Sequence, residues 1–188
     1  MSTETLGERI RRLRRASGKT LQQVAGESGL TAGFLSQVER GLSGVTLSSL
    51  AGIAQSIGAP LGTLFEAPAQ VAPDSHAADR QAFAPTDRGQ SYERLSSAFP
   101  GSRLNAVKLT LPVGYRSERV VHDGDEFVYV LDGHVQYTVG TRPYRLGPGD
   151  SLHFDGHRAH LLENTGREPA LLISVGTLPL FPGQEAPA

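Results

Sequence analysis

Residues 20–41 read T-L-Q-Q-V-A-G-E-S-G-L-T-A-G-F-L-S-Q-V-E-R-G. Thr20, with Gln23 three positions later, forms a capping-box pattern that fixes a helix start. Leu21, Val24 and Ala25 follow at helical spacing, and Gly29 ends the segment. Thr31 caps a second helix in which Phe34, Leu35 and Val38 face inward and Gly41 stops the chain. The connection S-G-L-T leaves the spacing of a helix-turn-helix unit.

Working outward, Leu6, Ile10 and Leu13 make the apolar stripe of a preceding helix. Downstream, Thr46 caps a fourth helix with Leu47, Leu50, Ile53, Ala54 and Ile57 inward, and Leu61, Leu64 and Phe65 close a five-helix bundle. The stretch 20–41, followed by T-L-S-S-L-A-G-I-A-Q-S-I-G-A-P-L-G-T-L-F (46–65), resembles the xenobiotic-response-element (XRE) family of helix-turn-helix regulators, which includes the phage repressors. The resemblance implies an all-α, lambda-repressor-like DNA-binding domain over 1–66 and a double-stranded DNA operator as partner.

The residue types agree with that expectation. The third helix turns Ala32, Gly33, Ser36, Gln37 and Arg40 outward. Gln37 can pair bidentately with the major-groove edge of adenine, and Ala32 and Gly33 allow close approach or contact with a thymine methyl. Thr20, Gln22, Thr31 and Thr46 lie at helix starts, where free backbone N–H groups meet phosphates. Arg14, Arg15, Lys19 and Arg40 supply charge. The run R-I-R-R-L-R-R (9–15) fits either a solvated face or phosphate contact. Residues 1–66 carry seven Lys/Arg against five Asp/Glu and the remainder eleven against fourteen, so a net charge of −1 hides a basic head and an acidic tail.

Residues 67–90 lack periodicity and are rich in Ala, Pro and Asp, which reads as a linker. From 91 to 188 short alternating stretches are bounded by Gly, Pro and Asp: R-L-N-A-V-K-L-T-L, E-F-V-Y-V-L, V-Q-Y-T-V, S-L-H-F and A-L-L-I-S-V. Such spacing predicts an all-β sandwich or barrel. Gly133 and Gly149 stand where turns need positive φ, and Asp150 where a side chain bonds the turn backbone.

Two segments then carry a second resemblance. P-V-G-Y-R-S-E-R-V-V-H-D-G-D-E-F-V-Y-V-L-D-G (112–133) and G-P-G-D-S-L-H-F-D-G-H-R-A-H-L-L-E-N (147–164) are similar to the two motifs of the cupin family. That implies a double-stranded β-helix barrel acting as a sensor domain. The family's metal ligands fall at Val120, His122, Glu126 and His160, so three of four are present. Two imidazoles and a carboxylate suit one divalent transition metal, Fe, Mn, Ni or Zn. His157 is a candidate replacement ligand, and His157 and Tyr129 are candidates for an effector pocket. His134 and His153 are expected to face solvent.

Together these features imply a DNA-binding transcriptional regulator without catalytic residues, a homodimer, whose barrel binds a small-molecule effector. An alternative is a mononuclear non-haem iron enzyme. Hydroxypropylphosphonic acid epoxidase also joins a helical head to a cupin, and this chain resembles it in its His-x-x-x-Glu pair and one distant His. Lys108, Arg116, Arg119, Arg142 and Arg145 would then be the anion-binding candidates. The chain has no cysteine, no apolar run near the roughly 18 residues of a membrane span, and an N-terminus unlike a signal peptide. A cytoplasmic location without membrane contact is expected.

Overall fold

The computed structural model describes residues 4–64, 70, 72–85 and 89–181. The head holds α1 (Leu6–Ala16), α2 (Leu21–Glu27), α3 (Ala32–Glu39) and α4 (Leu47–Ser56), followed by one 3-10 turn at Leu61–Thr63. Among the described residues the expected fifth helix is a single turn, and Phe65 lies outside them.

The expected caps form. Thr20 Oγ1 accepts from the Gln23 N–H at 3.2 Å while Gln23 Oε1 accepts from the Thr20 N–H at 2.8 Å. Thr31 Oγ1 accepts from Phe34 N–H, and Thr46 Oγ1 from Ser49 N–H, both at 3.1 Å. Each satisfies a donor that the first helical turn leaves unpaired. Ile10, Val24, Leu35, Val38, Leu50 and Ile53 make the buried centre, with Leu6, Leu13, Leu21 and Phe34 half-buried around it.

Arg14 is not the phosphate contact that its place in the basic run suggests. It is turned inward, 8% exposed, and its Nε and Nη2 donate to the Glu39 carboxylate at 2.6 and 2.9 Å. Its Nη1 donates to the Lys19 carbonyl. The bidentate pair ties α1 to the end of α3, so the guanidinium is committed within the head rather than offered to DNA. Within the same basic run Arg12 pairs with Glu4, and Arg9 reaches the Leu64 carbonyl. Arg11 and Arg15 remain exposed.

The C-terminal half is two antiparallel sheets. Its strands are β1 (Ala82–Phe83), β2 (Ser91–Arg94), β3 (Asn105–Leu111), β4 (Asp125–Asp132), β5 (Val135–Val139), β6 (Arg142–Leu146), β7 (Ser151–Asp155), β8 (His160–Asn164) and β9 (Ala170–Gly176). One sheet runs β1-β2-β3-β9-β4-β7 and the other β6-β5-β8. The two-residue β1 falls within the stretch read as linker. On β4 the side chains of Glu126, Val128 and Val130 point inward and those of Phe127, Tyr129 and Leu131 outward. The turn residues behave as their types require: Gly133 and Gly149 have φ of 77° and 89°, and Asp150 Oδ2 accepts from Gly147 N–H at 2.8 Å.

Removing one partner of the Arg14–Glu39 pair leaves a buried charge uncompensated. Glu39→Ala is therefore expected to destabilise the head by about 3 kcal/mol, read as a lowered urea midpoint by circular dichroism.

Candidate functional site

Three side chains meet inside the barrel. Glu126 comes from β4 in the larger sheet, His160 opens β8 in the smaller, and His122 lies on the extended segment before β4. That segment is pinned to the opposite wall. Val120 and His160 exchange both backbone hydrogen bonds at 2.9 Å, and His122 N–H donates to the Gly156 carbonyl at 3.1 Å. A Cβ on Gly156 would stand 2.6 Å from His122 Nδ1, so this ring can sit there only against glycine.

The ligand atoms of His122, Glu126 and His160 all lie within 4.8 Å of one another, and all three residues are buried. Each Nε2 approaches Glu126 Oε2, at 3.4 Å for His122 and 3.5 Å for His160. The far nitrogens settle the tautomers. His122 Nδ1 is 3.0 Å from the Asp123 carbonyl and His160 Nδ1 is 2.9 Å from the Arg158 carbonyl. A carbonyl only accepts, so each Nδ1 carries a proton, and in its neutral form each ring turns an Nε2 lone pair to the carboxylate. Two lone pairs and an anion converge, and His160 Nε2 has no hydrogen-bond partner despite full burial. Such a set calls for a proton or a cation. With spacings of 3.4–3.5 Å from each Nε2 to the carboxylate, these three side chains would be the ones to hold a divalent transition metal.

The electrostatics follow from burial and this grouping. Burial alone would push His122 down, but the hydrogen bond and charge of Glu126 outweigh it and hold the imidazole above its ordinary value. For His160 burial wins over the Glu126 charge, and proximity to His122 adds to the downward shift. Burial raises Glu126, yet the His122 hydrogen bond, both imidazoles and a hydrogen bond from Tyr137 bring it below the usual carboxylate range.

The space beside Glu126 and His160 is small, about 60 Å³, with a second lobe of about 40 Å³ reaching Asn105 and His122. Its walls include Tyr92, Tyr115, Tyr137, Ser117, Ser174 and Val120, the residue for which the cupin resemblance implies a fourth ligand. Among the described residues, no Lys or Arg side chain lines either lobe. The third wall comes from the head: Thr46, Leu47 and Ser48 at the start of α4.

Several expected residues are elsewhere. Tyr129 stands on the outward face of β4, 38% exposed, because alternation sends it opposite to Glu126. His157 is exposed and hydrogen-bonds Asp155 and Asp123, so it neither ligates nor lines the cavity. Thr46 is buried at the junction with the barrel, which corrects its expected place among DNA contacts. Lys19 reaches Glu27 and the Ser56 carbonyl. His134 and His153 do face solvent. Lys108 pairs with Glu93, Arg116 with Glu163, and Arg119 with the Gly140 carbonyl, outside the cavity. Tyr92 and Tyr137 lie outside both motifs, and Tyr115 lies in the first without being one of its ligand positions; for Tyr137 the signal is its apolar register with Val135 and Val139.

In the head, Gly33 and Gln37 of α3 and its C-cap Arg40 form one exposed face at i, i+4 and i+7, flanked by half-buried Ala32 and Ser36. Thr20, Gln22 and Thr31 are exposed, as is Arg15. A Cβ on Gly33 would meet nothing within 4 Å, so the fold does not demand glycine there.

Residues 5–67 match the helix-turn-helix domain family and residues 107–176 the cupin domain family, together well over half of the chain. The HTH-type transcriptional regulator PuuR of Escherichia coli (strain K12) is 27% identical over 191 aligned residues, covering 96% of this chain and 100% of the relative. The HTH-type transcriptional regulator SutR of the same organism is 25% identical over 168 residues, covering 87% and 89%. In fold, an HTH_3 family transcriptional regulator from Vibrio cholerae superposes with a TM-score of 0.60 at 22% identity, covering 94% of this chain and 96% of that one. The matches thus span head and barrel together over 89–100% of these relatives, and the chain belongs to the XRE-type helix-turn-helix proteins that carry a C-terminal cupin domain.

Proposed function

We propose that the protein is a sequence-specific DNA-binding transcriptional regulator whose barrel binds a small-molecule effector beside a divalent transition metal. The observation that carries the DNA reading is the exposed face Gly33, Gln37 and Arg40 on α3, set behind a turn of helix-turn-helix spacing. Two relatives matched over most of their length are HTH-type transcriptional regulators, which supports it. Gln37 offers an amide for an adenine edge, Arg40 a charge for a phosphate, and Gly33 close backbone approach.

The barrel reading rests on the converging lone pairs of His122 and His160 with Glu126. A metal held there would supply a Lewis-acidic centre with open positions for effector oxygen or nitrogen atoms. With no basic side chain among the described walls, the cavity favours a molecule that reaches the metal and hydrogen-bonds hydroxyl groups rather than a free anion. An eight-residue reading helix covers few base pairs, which calls for two heads. We assign the pairing of two copies to the outward face of β4, where Phe127, Tyr129 and Leu131 are 38–40% exposed.

Genome-wide binding followed by mobility-shift titration should give discrete operators, with Gln37→Ala weakening them about 10- to 100-fold while non-specific DNA binding barely changes. Gly33→Ala should separate fold from reading: stability rises by up to about 1 kcal/mol, and operator affinity falls. Purified protein should take up one metal per chain by elemental analysis and calorimetry. His122→Ala should lower that affinity by more than the roughly 10–100-fold typical of losing an outer partner. Binding should also weaken as pH falls, because the proton favoured on His122 competes with the metal. Tyr129→Lys with Leu131→Lys should shift the protein to monomer in sedimentation velocity; a variant that stays dimeric places the pairing elsewhere.

A further inference from the structure

We propose that the helical head is the lid of the barrel pocket, so that an effector and the docked head compete for one space; this builds on the reading that the barrel binds a small molecule. Pockets for metabolite-sized ligands begin near roughly 300 Å³, whereas the lobes around Glu126 enclose about 60 and 40 Å³. Part of their wall is not barrel: Ser48 at the start of α4 borders both lobes, and Thr46 and Leu47 border the first. Room for more than a metal and a few waters exists only once α4 moves away.

The polar ties between head and barrel are few. Leu47 N–H donates to Tyr92 Oη at 3.3 Å, Ser49 Oγ to Glu118 Oε2 at 2.8 Å, and the Gln55 amide exchanges hydrogen bonds with Asp123. Val121 N–H donates to the Ser28 carbonyl at 3.3 Å. These are a few hydrogen bonds, each of modest net strength in water, and none of them is a buried ion pair.

The same contacts link the pocket to the reading unit. In the extended segment before β4, Val121 and Asp123 touch the head while Val120 and His122 face the site. Val121 lies against Gly29, in the turn between α2 and α3. An occupant that displaces Leu47 or shifts His122 therefore acts on the element that sets the recognition helix. Affinity for effector and docking of the head are reciprocal quantities.

The chain has no cysteine, so one engineered thiol reports pocket access without background. In full-length, chelator-treated Ser174→Cys protein, labelling by methyl methanethiosulfonate is expected to be slow. Adding Ser49→Ala and Gln55→Ala, which remove two ties, should speed it at least about tenfold, the factor that a loss of roughly 1.4 kcal/mol of docking would produce. Val107→Cys, on β3 and bordering both lobes, gives a second reporter should the first disturb the barrel. Equal labelling rates with and without the ties, fast or slow, overturn the proposal. The assay uses neither metal nor operator. A protein that bound no operator would fail the functional reading, and its labelling rates would still tell whether the head covers the pocket.

Discussion

An extended backbone must send successive side chains to opposite sides, and at residues 120–123 that rule is applied between two domains at once. Val120 and His122 belong to the barrel interior, Val121 and Asp123 to the junction with the head. The backbone between them is held on both flanks, by His160 and Gly156 on one and by Ser28 on the other. The position of the buried imidazole, the shape of the cavity and the seat of the head are thus set by a single short run of chain.

The helix that meets this run is shaped accordingly. An amphipathic helix on a surface keeps a polar stripe, but α4, L-S-S-L-A-G-I-A-Q-S, contains no charge and is buried on nearly every side. Leu50 and Ile53 lie in the buried core, and Ser49 and Gly52 stand where the barrel approaches. A Cβ on Gly52 would already lie 3.4 Å from the Val121 carbonyl. A fourth helix packed on its own head alone would have no reason to avoid Lys and Glu throughout.

Much of this is legible in the sequence, and the failures have physical causes. Capping threonines and helical periodicity are local signals, so α1 to α4 can be placed from sequence, and the triad follows from two motifs. Local signals do not report what a side chain meets from afar. Arg14 looks like any other basic residue in its run until Glu39, 25 positions on, is brought beside it. Tyr129 and His157 lie next to true site residues in sequence, but alternation and a turn send both outward. β6 escapes notice because Pro143 argues against a strand, and it is tolerated there because β6 is an edge. β8, H-L-L-E-N, shows no alternation because both of its faces are largely covered. The contribution of α4 to the pocket cannot be read from either motif, although its lack of charge is there to be noticed.

The close fit at Gly29 has a historical side as well. Two domains joined by a flexible tether can be exchanged between relatives, each keeping its trade. Here the turn of the reading unit is glycine at the point where any side chain would press 3.0 Å from Val121. Changes in that turn and in the segment carrying His122 must be accepted together. Head and barrel are therefore expected to have diverged as one heritable unit, and a head grafted from a distant relative would inherit a seat that no longer fits.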